Sequence, residues 1–433
     1  MLNTVNQALW VIVSVIIFLC GIYFSFKLKF IHLNFKRMFQ SITQKSNKKE
    51  SISSFQALTM SLAGRIGVGS LSGIALAVFL GGPGVLFWIW MTSLFCAVLA
   101  FVESVLAVTF RHKDTGNIYR GGPFYYIMEG LGNKKLSLIY AVIILISYVC
   151  GFSTMQINTM SKCINQVTNI EPWVVGVVCA VLTGLVIFGG VKKIASTTSK
   201  IIPIMTFFYL SICLYIIIAN FPMIKIVFEE IISSAFNFKA IGGGFIVTLL
   251  IGMQKGIFSS EVGLGTGSIA AVTADTENAA INGLVQVFGV HVENLIFATL
   301  TTFAVCMSNY SNLVIPDANG IEITLYAFQY HIGNLGNIFI TITISLFAFS
   351  TIIAGYYYGE SSLKFIRNAT KLDTLMLKII TLCMLVVGSV ISSNLLWSVV
   401  DVLVGTIALV NVYALFKLRK IVVEEYMEYK RCQ

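Results

Sequence analysis

The chain has 433 residues, of which 57% are hydrophobic and only 11% are charged, whereas soluble domains are about 45–50% apolar and about 25% charged. Its mean hydropathy is +0.87. A chain of this composition cannot cover its own core with polar surface, which excludes soluble enzymes, nucleic-acid binders and secreted disulfide scaffolds. The net charge of +10 indicates basic loops on the cytoplasmic side of a membrane rather than an acidic partner.

Apolar stretches long enough to cross about 30 Å of hydrocarbon recur along the whole sequence. The first, over residues 7–26, ends in Lys27 and Lys29 without a cleavage site, so we interpret it as a retained leader helix and not as a signal peptide. The other ten cover residues 55–80, 84–110, 136–160, 173–190, 201–221, 241–273, 280–306, 335–358, 374–393 and 396–416. We therefore predict an all-α polytopic membrane protein with 11 transmembrane helices.

The distribution of basic residues predicts the orientation of these spans. If the leader helix runs inward, 24 of the 29 Lys and Arg residues fall in segments on the cytoplasmic side. This bias predicts an N-terminus outside the cell, a cytoplasmic C-terminus, and a multi-pass position in the plasma membrane.

Two of the spans carry glycine and polar residues where a membrane helix is ordinarily apolar. The first of the ten contains Gly67-Val68-Gly69-Ser70, and the sixth contains the similar run Gly263-Leu264-Gly265-Thr266. Each Gly costs about 1 kcal/mol relative to Ala in a helix, and polar groups at depth cost more, so both runs predict helices unwound around a cavity. Close helix packing through glycine is the alternative for either run alone.

The matching runs begin spans that lie five apart, so the second half must be inverted in the membrane relative to the first. This predicts a 5+5 inverted repeat, in which broken helices meet near the midplane and offer N–H groups to a carboxylate and C=O groups to a cation. The predicted boundaries are 1–54 for the leader helix and a basic cytoplasmic linker, 55–221 for the first repeat, 222–240 for an extracellular linker, 241–416 for the second repeat and 417–433 for a cytoplasmic tail.

Apart from Lys378 near the end of one span, six charged residues fall inside predicted spans. Burial in hydrocarbon is costly for each of them, so they are predicted to face the protein interior or water, with pairs between Arg65 or Lys255 and Glu261 as candidates for gates. The six are Arg65, Glu103, Lys255, Glu261, Glu293 and Asp401.

Long stretches of the sequence resemble a known family. They are LAGRIGVGSLSGIALAVFLGGPGVLFWIWM (62–91), FVES (101–104), YRGGPFYYIMEGLG (119–132), GIFSSEVGLG (256–265), GLVQVFGV (283–290) and FAFSTIIAGYYYGE (347–360), together with Gln156 and Asn158. On these residues the chain is similar to the alanine or glycine:cation symporters, a branch of the amino acid–polyamine–organocation superfamily. The resemblance covers roughly residues 55–415 and implies a leucine-transporter-type fold, which agrees with the inverted repeat.

The resemblance also implies where an amino acid zwitterion binds. It assigns the backbone N–H groups of Val68 and Gly69 to the carboxylate, and Ser70 continues that turn as a cap or a ligand contact. Gln156 is a polar residue on an apolar span, and either contacts the ligand or makes an interhelical hydrogen bond. In the sixth span, the candidates for contacts with the side chain and the ammonium group are Phe258, Ser259 and Ser260.

A sodium site is predicted between the first and eighth of the ten spans. Ser350 and Thr351 are adjacent hydroxyls that supply oxygen ligands without a fixed charge, although such residues also bond to their own helix. The superfamily resemblance implies that the carbonyls of Ala63, Ile66 and Phe347 complete this site.

These residues predict a sodium-coupled symporter of a small neutral amino acid, working by alternating access. Proton coupling through Glu261 or Glu293 is the alternative within transport, and an ion channel or a membrane-embedded enzyme are alternatives of other classes. No cofactor, nucleic acid or obligatory protein partner is expected, and sodium is the co-transported ion.

The chain departs from the family pattern at Ser70, at Val404-Gly405 and at Gly355. At Gly355 the family usually has Trp, one helical turn from Thr351 and on the same face. Loss of the indole predicts a longer pocket that accepts glutamine- or serine-like substrates, unless a neighbour refills the space and alanine or glycine stays preferred. The candidate neighbours are Phe258, Tyr356 and Trp397.

Overall fold

The computed structural model describes residues 2–43, 51–114, 118–237, 244–276, 278–309, 320–367, 369–391 and 393–431. Its first half contains the leader helix α1, the two segments of a broken span and the helices that pack around them. The helices are α1 (Leu2–Lys27), α2 (Phe35–Ile42), α3 (Ser54–Arg65), α4 (Ile74–Gly81), α5 (Val85–Thr109), α6 (Pro123–Glu129), α7 (Lys134–Ile146), α8 (Ser153–Thr168), α9 (Pro172–Ile187), α10 (Gly190–Ala219) and α11 (Met223–Ala235).

The second half also contains two helical segments separated by a short break, Gly244–Ser260 and Thr266–Ala271. Its helices are α12 (Gly244–Ser260), α13 (Thr266–Ala271), α14 (Ala279–His291), α15 (Ala298–Cys306), α16 (Gly320–Ile332), α17 (Asn334–Ile366), α18 (Lys371–Val390), α19 (Ser393–Lys417) and α20 (Arg419–Arg431). The small departures from helical structure include an antiparallel hairpin of β1 (His112–Lys113) and β2 (Tyr119–Arg120).

Local sequence sets several helix ends. Ser53 and Gln56 form a capping box at the start of α3, which satisfies two backbone donors that a helix N-terminus leaves without partners. Thr370 and Asp373 form the same arrangement at α18. Pro172 occupies the first turn of α9, where its missing N–H costs nothing.

Three π-helical turns interrupt the central helices. They span Gly69–Gly73 before α4, Ser147–Phe152 between α7 and α8, and Val292–Phe297 between α14 and α15. The last two leave their helices continuous, as rods over Lys134–Thr168 and Ala279–Cys306. Such turns are rare and occur frequently at functional sites, because the widened turn displaces backbone groups from the regular ladder.

The all-α polytopic architecture is confirmed. Among the described residues, 8 helices are long and apolar enough to cross a membrane, and the pair Ser54–Arg65 and Gly69–Gly81, bent by 54°, makes up to 9. The shorter apolar helices Pro172–Ile187 and Gly244–Ser260 fall at the predicted fourth and sixth spans. The count of 11 transmembrane helices therefore stays a prediction, because α9 has only 16 residues and α12 stops at a break.

The leader helix α1 packs against α5, α12 and α19, so it lies against the bundle along much of its length. The predicted linker 222–240 contains α11, and the predicted tail 417–433 contains α20. Residues 238–243, where that linker was predicted to end and the second repeat to begin, lie outside the described residues.

Candidate functional site

The break after α3 redirects the backbone amides that would continue the helix. The Gly67 N–H donates to the Arg65 carbonyl at 3.0 Å, and the Val68 N–H donates to Gln156 Oε1 at 3.0 Å. In a continuous helix these amides would bond the carbonyls of residues 63 and 64. The carbonyls of Ala63 and Gly64 therefore lose their helical donors at this point in the bundle.

One carbonyl at this break, that of Ile66, meets a hydroxyl of α17. Thr351 Oγ1 lies 3.5 Å from the Ile66 carbonyl and 3.0 Å from the Phe347 carbonyl. Ser350 Oγ donates to the same Phe347 carbonyl at 2.9 Å. Both hydroxyls are buried, so the structure brings Ile66, Phe347, Ser350 and Thr351 together. Ala63 lies one turn before this group on α3, and its side chain is fully buried.

At Gly67 the first break lies against both α8 and α17. A Cβ placed on Gly67 would lie 2.7 Å from Thr351 Oγ1 and 3.0 Å from Gln156 Nε2. Any side chain at residue 67 would therefore displace the Thr351 hydroxyl or the Gln156 amide group. Two residues further on, a Cβ placed on Gly69 would meet nothing within 4 Å, so an open space lies beside the first residue of the π turn. This space adjoins the start of a helical turn, where backbone N–H groups lack partners within the helix.

Ser70 is the second residue of this π turn and is fully buried. Its hydroxyl lies 3.3 Å from the Arg65 carbonyl, and its own carbonyl accepts a hydrogen bond from Thr301 of α15 at 3.3 Å. Ser70 therefore joins the broken span to the α14–α15 rod.

An aromatic wall covers Gly355. The side chain nearest to a Cβ placed on Gly355 is Tyr148, at 3.5 Å, which is an ordinary van der Waals contact. The Tyr148 ring stacks on Phe152 at 4.6 Å between centroids, and Phe152 stacks on Phe258 at 5.8 Å. Tyr148 was not among the neighbours expected to refill this space; Phe258 belongs to the same wall, and the side chain of Trp397 lies outside the described residues.

The serines that follow Phe258 differ in what they face. Ser259 Oγ donates to the Lys255 carbonyl at 2.7 Å and lies 3.4 Å from Asn294 Oδ1 on the neighbouring rod. Ser260 Oγ donates to the Gly256 carbonyl at 2.5 Å, which is a bond within its own helix. Of the two, Ser259 is therefore the one directed toward another helix.

The second break, Glu261–Gly265, is held by side chains from several helices. Gly263 and Gly265 have φ of +80° and +83°, which favours glycine. Glu103 of α5 accepts the Gly265 N–H at 3.1 Å and the Asn411 amide at 2.8 Å. Asn411 of α19 also donates to the Gly263 carbonyl at 2.9 Å, and Tyr140 donates to the Leu264 carbonyl.

The buried charges do not form the gate pairs that the sequence suggested. Arg65 donates to the Gln286 carbonyl at 3.1 Å, and its guanidinium lies against Gly267 and Gly289. Glu261 accepts instead from the Tyr148 hydroxyl at 2.6 Å. Within the described part of the chain, no carboxylate lies within 4.0 Å of Arg65 or Lys255.

Lys255 and Asp401 lie on the side of the site next to the leader helix. Lys255 Nζ sits 5.7 Å from the Phe258 ring centroid and acts on Asp401 only through longer-range attraction. Asp401 accepts a hydrogen bond from Asn6 at 3.2 Å. This carboxylate therefore joins α19 to the leader helix.

Several contributors to the site carry no signal in the sequence. Asn411 and Tyr140 are separated from the second break by more than 100 residues, and Thr301 lies in an ordinary apolar run. Tyr126 is different, because it lies in the stretch 119–132 that carries the family resemblance. Its hydroxyl donates to Asn411 behind the second break.

Comparison with known proteins gives consistent matches over the whole length. The model of the sodium:alanine symporter family matches residues 1–433. The amino-acid carrier protein AlsT of Bacillus subtilis is 34% identical over 433 residues, which cover 100% of this chain and 92% of AlsT. The probable sodium/glutamine symporter GlnT of Bacillus subtilis is 35% identical over 431 residues, which cover 98% of this chain and 89% of GlnT.

Among solved structures, the chain is similar to MhsT in complex with L-phenylalanine. The TM-score is 0.56 at 11% identity, and the match covers 88% of this chain and 98% of MhsT. At that identity the likeness concerns the fold alone, and it agrees with the leucine-transporter-type architecture described above.

Proposed function

Since the chain belongs to the sodium:alanine symporter family, and is a multi-pass transporter and not an enzyme, we propose that it imports a small neutral amino acid together with sodium by alternating access. The observation that carries this proposal is the meeting of Thr351 with the Ile66 and Phe347 carbonyls, next to the open space beside Gly69.

The proposed sodium site consists of uncharged oxygens. Hard cations take oxygen ligands, and the carbonyls of Ala63, Ile66 and Phe347 with the hydroxyls of Ser350 and Thr351 provide them. In the present arrangement both hydroxyls donate to the Phe347 carbonyl. A bound ion would take the lone pairs of these hydroxyls, whose hydrogens would turn away from the Phe347 carbonyl so that its oxygen can join the ligands.

The proposed amino acid site adjoins the sodium site across Gly67. The substrate carboxylate would accept from the Gly69 N–H and from Gln156, whose Nε2 lies beside Gly67. The Val68 N–H is already bonded to Gln156 Oε1, so Val68 would orient the Gln156 side chain. Val68 would bind the substrate carboxylate itself only if Gln156 releases the Val68 N–H. Ser70 would hold the turn, and Ser259 would face the ligand from α12, with Ser260 behind it.

The wall over Gly355 favours a small side chain on the substrate. Tyr148 covers Gly355 at van der Waals distance, and Phe258 continues the wall. Alanine or glycine is therefore the first candidate for the substrate. A glutamine-sized substrate is the second candidate, because the relative GlnT is named a probable sodium/glutamine symporter.

We propose the orientation and division of the chain as the sequence predicts them. The N-terminus would lie outside the plasma membrane and the C-terminus inside, with repeats over 55–221 and 241–416 joined by an extracellular segment over 222–240. The segments 1–54 and 417–433 would lie outside the repeats. Labelling by a membrane-impermeant thiol reagent tests the two termini, with a single cysteine introduced at Asn6 or at Lys430 in a variant whose nine native cysteines are replaced.

Uptake of labelled alanine into proteoliposomes tests the coupling. An inward sodium gradient should drive accumulation above equilibrium. Thr351→Val should need a much higher sodium concentration for the same accumulation, whereas Ser345→Ala should behave as the wild type, because the Ser345 hydroxyl bonds to the Thr341 carbonyl of the same helix. Accumulation driven by a pH gradient without sodium, and lost in Glu261→Gln or Glu293→Gln, would favour proton coupling. Flux without accumulation would favour a channel.

A further inference from the structure

A cavity of about 910 Å³ lies at one end of the bundle, between the β1–β2 hairpin and the loop that joins α17 to α18. Both segments belong to the side that we propose to face the cytoplasm. Lys364 of α17, on the cavity wall, follows Thr351 by more than three helical turns, about 20 Å along the axis. The cavity is therefore separate from the proposed sodium and amino acid sites.

Positive charge dominates the wall of this cavity. Asp114 is the one carboxylate among the described residues that line it. The cations that line it are five Lys and Arg side chains, which are Lys113, Arg120, Lys364, Lys371 and Lys378.

Two of these cations have carboxylate partners. Arg120 pairs with Asp114 at 2.7 Å and with Glu360 at 3.2 Å. Lys364 Nζ lies 3.0 Å from Glu360 and 3.4 Å from Asp114. Two carboxylates thus neutralise two cations, and together the four side chains join the hairpin to α17.

The other three cations lack such a partner. In the part of the chain that the structure describes, no carboxylate oxygen lies within 4.0 Å of Lys113, Lys371 or Lys378. Lys113 and Lys378 approach aromatic rings instead, at 5.1 Å from the Tyr119 centroid and 4.7 Å from the Phe188 centroid. Lys371 and Lys378 lie two turns apart on α18 and therefore on the same face. The cavity thus gathers three positive charges that the protein does not neutralise by contact.

Exposed apolar side chains continue from the cavity along α9 and α18. Phe188 and Leu375 line the cavity, and both are exposed. Leu185 lies one turn before Phe188, and Ile379 lies one turn after Leu375; these two are exposed as well. Helices α9 and α18 pack side by side, so Leu185, Phe188, Leu375 and Ile379 form an apolar strip that adjoins the cations.

We propose that this cavity binds the headgroup of an anionic phospholipid. The phosphate would meet Lys113, Lys371 and Lys378, and an acyl chain would lie along the apolar strip. Basic pockets between membrane helices on the cytoplasmic side recognise such headgroups. A free phosphate ion shares the chemistry of the headgroup but would leave the apolar strip uncovered, which favours the lipid. This inference concerns a site outside the transport pathway and does not depend on the proposed sodium coupling.

Binding of radiolabelled phosphatidylglycerol to the purified full-length chain, in micelles of a neutral detergent, tests the site. Unlabelled phosphatidylcholine should compete at least tenfold less well than unlabelled phosphatidylglycerol. Lys371→Gln/Lys378→Gln should lower the affinity for phosphatidylglycerol at least tenfold. The matched control is Lys134→Gln/Lys135→Gln, which removes two exposed lysines at the start of α7, outside the cavity, and should bind as the wild type does.

Thermal unfolding in the same detergent confirms that both variants are folded. Equal competition by the two lipids, or an unchanged affinity in Lys371→Gln/Lys378→Gln, overturns the inference. An equal loss of affinity in the control variant would also overturn it, because the attraction would then come from overall charge and not from the cavity. Inorganic phosphate should displace the labelled lipid only at far higher concentration than unlabelled phosphatidylglycerol does. Displacement at the same concentration would show that the site binds free phosphate and that the lipid is the wrong ligand.

Discussion

The two breaks begin from similar sequence runs and differ in what holds them. At the first, Gly67-Val68-Gly69-Ser70, the displaced carbonyls of Ala63 and Gly64 lose their helical donors, and the Ile66 carbonyl meets only the long contact from Thr351 at 3.5 Å. At the second, Gly263-Leu264-Gly265-Thr266, the displaced groups are bonded to Glu103, Asn411 and Tyr140.

The comparison separates two uses of an unwound helix. Backbone groups that protein side chains already satisfy make a rigid segment, whereas groups left with weak partners form a site that a ligand completes. We therefore expect substitutions around the second break to act on stability, and substitutions around the first break to act on ligand affinity.

The largest effect is expected from Asn411→Leu. The substitution removes a donor from Glu103 and from the Gly263 carbonyl and leaves both buried; each unsatisfied group costs about 1–3 kcal/mol. Thermal unfolding in detergent without sodium should show a much lower midpoint, and transport should be lost. Tyr413→Phe, on an exposed residue of the same helix, is the control. If Asn411→Leu left stability unchanged and weakened sodium binding, the second break would act on ligand affinity, and the comparison between the two breaks would be reversed.

Thr351→Val should lower sodium affinity by about tenfold or more, since it removes one hydroxyl ligand worth about 1.5–3 kcal/mol to a charged group. The sodium dependence of alanine uptake measures this. Ser350→Ala should have a smaller effect, because the Ser350 hydroxyl bonds only within its own helix. If the wild type and the double variant Ser350→Ala/Thr351→Val have identical sodium activation curves, these two hydroxyls are not sodium ligands.

Gln156→Ala should weaken alanine binding by several-fold to about tenfold. It removes the hydrogen bond that we propose from Gln156 to the substrate carboxylate, and it releases the Val68 N–H. Competition binding at saturating sodium measures this affinity. Asn158→Ala, on the same helix and bonded to the carbonyls of Gly388 and Ile391, should lower stability instead. An unchanged alanine affinity in Gln156→Ala would assign Gln156 to interhelical packing alone.

The smallest effect is expected from Gly355→Ala. The added methyl group would meet Tyr148 at 3.5 Å, so it should fit, and the apparent affinity for alanine should change by less than about threefold. Gly355→Trp should narrow the range of substrates accepted in competition with a size series of neutral amino acids. A wild type that already excludes everything larger than alanine, with the same profile in Gly355→Trp, would show that Tyr148 closes the pocket by itself.

The fold could be predicted from sequence because membrane physics leaves few solutions. Long apolar runs predict the helices, and glycine together with polar residues inside two of them marks the breaks, since each makes a continuous span less favourable. The shortness of α9 and α12 was not predictable, because the hydropathy of a run continues past the residue at which its helix ends.

The candidate site was less accessible to sequence reasoning. Ser350 and Thr351 stand out as adjacent hydroxyls, but the π turns have no sequence signature, since they depend on how neighbouring helices pack. The bond from Val68 to Gln156 spans 88 residues. Whether Gln156 orients the backbone or faces the ligand therefore depends on tertiary distances that no local pattern encodes.

The position of the leader helix has a consequence for how such transporters diverge. Trp10 contacts the Phe258 ring at 6.1 Å between centroids, and Ile17 packs against Gly263 in the second break. An element outside the two proposed repeats thus touches both the aromatic wall over Gly355 and the second break. We therefore expect substitutions in the leader helix to change selectivity and turnover in a descendant whose sequence over 55–416 stays identical to that of its ancestor.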